Sequence, residues 1–168
     1  MLDYRHNRVP GPSFFFTVRL LRPDSVLLTD YVAAFGEAVR HVRARRPFHV
    51  DAWVVLPDHA HAIWTLPDND ANCTSRWREI KIGFSKQVGK SGTVHGELWT
   101  PQFQHLAIRD DAHYCELVDY IHDNPVRHGL VDSGDAWQWS SLHRFNASRP
   151  ASDVLASNPS PTSAEPRP

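Results

Sequence analysis

The 168-residue chain has only two cysteines, Cys73 and Cys115, far apart and without a CxxC spacing. That scarcity excludes a disulfide framework and a zinc ribbon and fits a reducing compartment. Runs of membrane-spanning length are also missing, since "FFFTVRLL" is far too short. The first residues lack the apolar core and small-residue cleavage site of a secretory signal, so the expected compartment is the cytoplasm and no membrane partner is expected. Net charge is −1, so no global basic signature marks a nucleic-acid binder. Lys and Arg outnumber Asp and Glu over the first hundred residues and fall behind after them. A modest basic face is therefore available, but the small charge excess argues against strong nonspecific DNA affinity. No internal repeat is visible.

The chain does contain enough apolar sequence, 41% with 11% aromatic, for the core of one soluble domain and hardly of two. Residues 1–146 are expected to form that domain. From there residues 147–168 are rich in Pro, Ser and Ala without periodicity, which predicts a disordered tail. The aromatic and β-branched run "SFFFTVRLL" predicts a strand over about 14–21. Thr29 or Asp30 can cap a helix with Tyr31, Phe35, Ala38 and Val42 at helical spacing, ended by Pro47. "FHVDAWVVL" and "HAHAIWTL" read as a hairpin turned at Pro57 and Asp58. "CTSRWREIKIGFSKQVG" is a second amphipathic helix with Thr74 and Ser75 as cap candidates. "LWTPQFQHLAI" holds a short extended piece interrupted by Pro101, and Asp110 caps a third helix to about Asn124, where Pro125 stops or kinks it. This order predicts an α+β domain of ferredoxin-like plan, a central antiparallel sheet with helices packed on it.

The second hairpin strand carries two histidines one residue apart. Alternation places His59, His61 and Ile63 on one face and Ala60, Ala62 and Trp64 on the other. Two side-by-side imidazoles suit two nitrogen ligands of one metal ion, or two hydrogen-bonded residues on a half-exposed sheet face. On the third helix, Tyr114, Leu117, Val118 and Ile121 form the core stripe, whereas Tyr120 stands about 120° from Tyr114 with Asn124 one turn beyond it. Asn124 as an oxygen ligand and Tyr120 as a nucleophile would complete a site with the histidine pair. A phenol with an ordinary pKa of about 10 needs a nearby cation or base for that role. The alternative is a boundary tyrosine and a helix-terminating asparagine. His122 lies about 160° further round from Asn124, which predicts a local hydrogen bond rather than a shared metal.

Four segments in order, "VVLPDHAHAIWTLP", "SRWREIKIGFSK", "AIRDDAHYCELVDYIHDNPVRHGLV" and "WQWSSLHRF", resemble the REP-associated tyrosine transposases, single-tyrosine enzymes with a His-hydrophobe-His motif. The resemblance covers the first strand to about Phe145. It implies a Mg²⁺- or Mn²⁺-dependent endonuclease and strand transferase acting on single-stranded DNA at palindromic repeat hairpins. His59, His61 and Asn124 match the metal ligands and Tyr120 matches the nucleophile, forming a 5′-phosphotyrosine and a free 3′-OH. It also implies DNA contacts. Arg5 and Arg8 match a basic N-terminal segment, with a solvated leader as the alternative. Arg78, Lys81 and Lys86 form a basic helix side, for phosphates or for solvent. Trp137 and Trp139 match a segment that closes the domain by packing, and His128 flanks the tyrosine motif with His122. No protein partner is implied beyond a monomer or dimer.

Where the family reads like "WQRRFWEH", this chain has "WTPQFQHL", which keeps Trp99 and Phe103 and offers His105 one position away. That departure motivates a second reading, a repeat-hairpin-binding protein with weak or lost cleavage. A third is a small metallohydrolase in which the histidine pair activates water.

Overall fold

The structure, a computed structural model, describes residues 8–92 and 96–147. In chain order the elements are β1 (Ser13–Arg19), α1 (Leu27–Asp30), α2 (Val32–Arg45), β2 (His49–Val55), β3 (His59–Thr65), α3 (Cys73–Gly89), β4 (Gln104–Ala107), α4 (Asp111–Arg127) and α5 (Leu142–Ala147), with a 3-10 turn at Gly134–Ala136 before α5. The four strands form one sheet in the order β2-β3-β1-β4, with antiparallel neighbours throughout. β1 and β2 therefore run parallel with β3 between them, the split arrangement of a ferredoxin-like α+β domain. Helix continues to Ala147, while Arg5 and residues 148–168 lie outside the described residues. Among the described residues no helix is long and apolar enough to cross a membrane.

Both faces of the sheet are covered. Phe16, Val18, Ala60, Ala62 and Trp64 pack against Phe35, Ala38 and Val42 of α2 and Trp77, Ile80 and Phe84 of α3. Trp64 stacks on Trp77 at 4.3 Å and meets Phe48 at 4.2 Å. Each such fully buried side chain contributes about 1.5–3 kcal/mol. On the opposite face, Ala52, Val54 and Ile63 pack against Tyr114, Val118 and Ile121 of α4 and Phe145 of α5. β3 is thus buried along its whole length. The half-exposed sheet face allowed for by the sequence is absent here, because α4 covers the side that strand periodicity alone leaves to solvent.

Several helix ends differ from their sequence expectation. Neither Thr29 nor Asp30 caps α2: Tyr31 is its N-cap with no side-chain capping bond, and the Thr29 hydroxyl donates to the Val26 carbonyl at 3.0 Å. Asn72, rather than Thr74 or Ser75, caps α3 by accepting from the Ser75 amide at 3.1 Å. Asp110 caps α4 as expected, accepting from the His113 amide at 2.8 Å. Pro125 does not end α4, which runs on to Arg127. A proline two residues from the helix end removes one backbone bond without forcing an early stop. Termination falls to Gly129 at φ +65°, the left-handed conformation glycine accepts readily.

The free edge of β2 is closed by the segment after α4, as the tryptophan pair suggested. Val55 donates to the Trp139 carbonyl, Ser141 donates to the Trp53 carbonyl, both at 2.9 Å, and the Trp137 indole donates to the Val55 carbonyl at 2.9 Å. The same segment anchors α4 from behind, since His122 Nε2 lies 2.9 Å from Ser141 Oγ. This is the local bond expected for His122.

A buried polar chain ties α4 to all three long strands. Asp51, at the bulge of β2, accepts from Thr65 Oγ1 at 2.9 Å and from the Tyr114 hydroxyl at 3.3 Å, and Thr65 Oγ1 also meets Ser13 Oγ at 2.8 Å. His49 Nδ1 stands 3.3 Å from the same carboxylate without hydrogen-bond geometry. Burial raises the Asp51 pKa above its ordinary 3.8, outweighing Thr65, His49 and Tyr114, which lower it. The folded chain therefore holds this proton more tightly than the unfolded chain. The resulting stability is complete below 3.8 and is lost as pH rises through the higher folded value. Asp51→Asn, which resembles the neutral form, is expected to gain stability relative to the unaltered chain between about pH 4 and pH 7 in urea unfolding. A difference that stays constant over that range would contradict this account.

Candidate active site

Strand alternation and register build one wall. His59 and His61 face the α4 side of β3, and across β1 their partners are Arg19 and Thr17. Their rings lie edge to face with centroids 5.1 Å apart. His61 Nδ1 is 2.9 Å from Thr17 Oγ1, and its ring stacks on Phe15 at 5.4 Å. His59 Nδ1 is 2.6 Å from Asp58 Oδ1, and Asp58 Oδ2 accepts from Arg19 at 3.2 Å. Both histidines are almost wholly buried, at 2% and 4% exposure.

α4 forms the opposite wall and carries the other two candidates one turn apart. Tyr120 is half-buried, its ring 5.4 Å from His61 and 5.9 Å from Phe15, with the Arg127 guanidinium 5.1 Å from its centroid. Asn124 is 1% exposed, and among the described residues its amide nitrogen reaches only the Tyr120 carbonyl, at 3.5 Å. The exposed His128, just past the helix end, sets its ring 4.9 Å from His59. The structure therefore brings His59, His61, Tyr120 and Asn124 to one side of the sheet.

Electrostatics and hydrogen bonding favour donors here. Burial lowers the His59 pKa, with Asp58 opposing it, and pushes His61 down to about 3, with His59, Arg19 and His128 adding repulsion. Both rings are neutral at pH 7, the state in which imidazole ligates metals. His59 Nε2 and Asn124 Oδ1 are buried with no hydrogen-bond partner among the described residues. Each orphaned group costs about 1–3 kcal/mol, and a bound ion, ligand or water reaching both would offset that cost. Among the described residues no three His, Cys, Asp or Glu side chains are grouped to hold a metal. The donor types on this side of the sheet are instead two imidazoles and an amide oxygen, a set that would suit a divalent ion with coordination positions left open.

The remaining candidates stand elsewhere. Arg8 is bound to Asp111 at 2.5 Å and lies over the Tyr114 ring at 5.0 Å, joining the leader to the start of α4. α3 packs on the sheet face opposite the histidines, so Arg78, Lys81 and Lys86 do not line the site. Arg78 and Lys86 are exposed. Lys81 donates to the Thr100 carbonyl at 3.2 Å and sits near Trp99 and Phe103, and burial lowers its pKa. His105 pairs across strands with Phe16 and hence points to the α2–α3 side, away from His59 and His61. It does not replace a lost group of the site wall.

Thr17, Arg19, Asp58 and Arg127 are not among the site residues the sequence predicts, and His128 is predicted only as a neighbour of the tyrosine motif. Asp58 was visible as a turn residue adjacent to His59, and Arg127 lies seven residues from Tyr120, two helical turns along nearly the same side. Thr17 and Arg19 carried no signal until strand register paired them with the histidines.

No family model matches the chain. It is 43% identical over 144 residues to the REP-associated tyrosine transposase of Escherichia coli (strain K12), spanning 86% of this chain and 84% of that protein. A Haemophilus influenzae relative is 34% identical over 153 residues, spanning 86% and 87%. Among solved structures, a REP-associated tyrosine transposase bound to a REP hairpin matches with TM-score 0.78 and 42% identity, over 88% of this chain and 87% of that chain. A Deinococcus radiodurans structure matches with TM-score 0.50 and 14% identity, over 69% and 92%, and speaks to the fold alone. With that identity running across nearly the whole of both chains, this chain belongs to the REP-associated tyrosine transposases.

Proposed function

We propose that this transposase nicks and rejoins single-stranded DNA at REP hairpins through Tyr120, with His59, His61 and Asn124 holding Mg²⁺ or Mn²⁺. The observation that carries the reading is the pair of buried, unpartnered donor atoms, His59 Nε2 and Asn124 Oδ1, beside a tyrosine that edges the His61 ring. The solved relative bound to a REP hairpin supports the choice of DNA partner.

The divalent ion supplies Lewis-acid polarisation of the scissile phosphate when bound. The protein's own groups do the rest. Phe15 and His61 pack edge-on against the half-buried Tyr120 ring and fix its place at the margin of the core. The Tyr120 oxygen attacks phosphorus, the bond to the 3′ oxygen breaks, and the phenolic proton leaves to solvent as the departing oxygen takes one up. A 5′-phosphotyrosine and a free 3′-OH result. Because the phosphodiester energy is kept in the adduct, the reverse attack by a 3′-OH rejoins the strand. Arg127 and His128 are exposed beside the Tyr120 and His59 rings, two basic residues that would meet an approaching phosphate.

End-labelled single-stranded DNA carrying a REP hairpin should give a denaturant-stable protein adduct with Mn²⁺, and Tyr120→Phe should give none. Binding without an adduct favours a hairpin-binding protein, and metal-dependent cleavage that persists in Tyr120→Phe sinks the tyrosine mechanism. His59→Ala, or chelation of the metal, is expected to slow adduct formation by roughly 10²–10³-fold, the equivalent of several kcal/mol of charge stabilisation. A rate unchanged by chelator in single-turnover measurements would remove the ion from the reaction.

A further inference from the structure

Asp58 and Arg19 have no part in the chemistry above, yet they sit directly behind a ligand. Asp58 is the second residue of the β2–β3 turn, and main chain holds it there: its carbonyl accepts from the Leu20 amide at 2.7 Å, and Leu56 donates to the His59 carbonyl at 2.8 Å. Its carboxylate is shared between Arg19 on one oxygen and His59 Nδ1 on the other, at 3.2 Å and 2.6 Å. Arg19 is also the cross-strand partner of His59. Register thus places guanidinium, carboxylate and imidazole in one row.

A neutral imidazole has one N–H and one lone pair, and a carboxylate only accepts. The short contact therefore assigns the proton to Nδ1 and the lone pair to Nε2, the buried atom without a partner. His61 is not constrained in this way, because the Thr17 hydroxyl can donate or accept. We propose that Asp58, held in place by Arg19, is a positioning residue that locks His59 in the Nδ1–H tautomer and presents Nε2 to the divalent cation. The proposal rests on the metal site described above. Carboxylates placed behind ligating histidines orient the ring and raise its basicity, and losing one typically costs about 10–100-fold in metal affinity.

Arg19 makes the substitution informative. In Asp58→Asn the amide oxygen turns to Arg19, which can only donate. The amide NH₂ then faces Nδ1 and drives the proton to Nε2, masking the ligand lone pair.

Two measurements on the full chain test this. In metal-free protein, long-range ¹H–¹⁵N correlation spectra should show His59 with its proton on Nδ1, and Asp58→Asn should invert that tautomer. Finding the proton on Nε2 in the unaltered chain overturns the proposal without any variant having to fold. In calorimetric titration with Mn²⁺, Asp58→Asn should bind about 10–100-fold more weakly than the unaltered chain. Affinity within twofold of the unaltered chain overturns the proposal and leaves the metal site standing. Absence of Mn²⁺ binding by the unaltered chain overturns the metal site itself, and with it the role given to Asp58.

Discussion

Enclosure of β3 on both faces is the constraint from which the rest follows. A strand flanked by β1 and β2 and covered by helices above and below leaves every side chain on it to be satisfied within the protein. Alanine and tryptophan meet that condition by packing on the α2–α3 side. Histidine meets it only by being neutral and by finding partners for both ring nitrogens. For His59 one partner is the turn carboxylate behind it, and the other nitrogen is left over. A buried donor without a partner is costly in a structural residue and useful in a ligand.

The two helical layers divide the work accordingly. α2 and α3 form the large aromatic core and hold the sheet's shape, and their arginines and lysines stay off the histidine side. α4 carries the proposed nucleophile and amide ligand, and its position is set from several directions. Asp51 receives the Tyr114 hydroxyl, Arg8 lies over the same ring, and His122 is bound to Ser141 in the segment that closes β2. A helix anchored at its start and along its back fixes the place of Tyr120 at its margin, the positioning that the proposed attack needs.

The segment "WTPQFQHL" shows how a departure from a family pattern can be absorbed by the frame. Trp99 donates its indole hydrogen to the Lys81 carbonyl at 3.2 Å and to Ser85 Oγ at 3.1 Å, and Phe103 packs near Phe16. The aromatics kept in this stretch thus serve the core. The residues after them, Gln104–Ala107, form an exposed edge strand. On the histidine side β4 sets Gln104 and Leu106 beside Thr17 and Phe15, so the wall next to the site is polar and apolar but not basic.

Much of this was readable along the chain. Period-two alternation put His59 and His61 on the face opposite Ala60, Ala62 and Trp64, and helical spacing put Tyr120 beside Asn124, because both depend on local backbone geometry. The ferredoxin-like order of elements followed from the same periodicities. Helix boundaries were less legible, as Asn72 and Pro125 show, since capping and termination depend on which nearby group wins a backbone bond. The surroundings of the site were not legible at all. Thr17 and Arg19 stand beside the histidines through register, Asn124 Oδ1 and His59 Nε2 are orphaned through burial between α4 and β3, and Lys81 is drawn to the 99–103 segment. Pairing and burial join residues far apart in sequence, and no local pattern records which of them will meet.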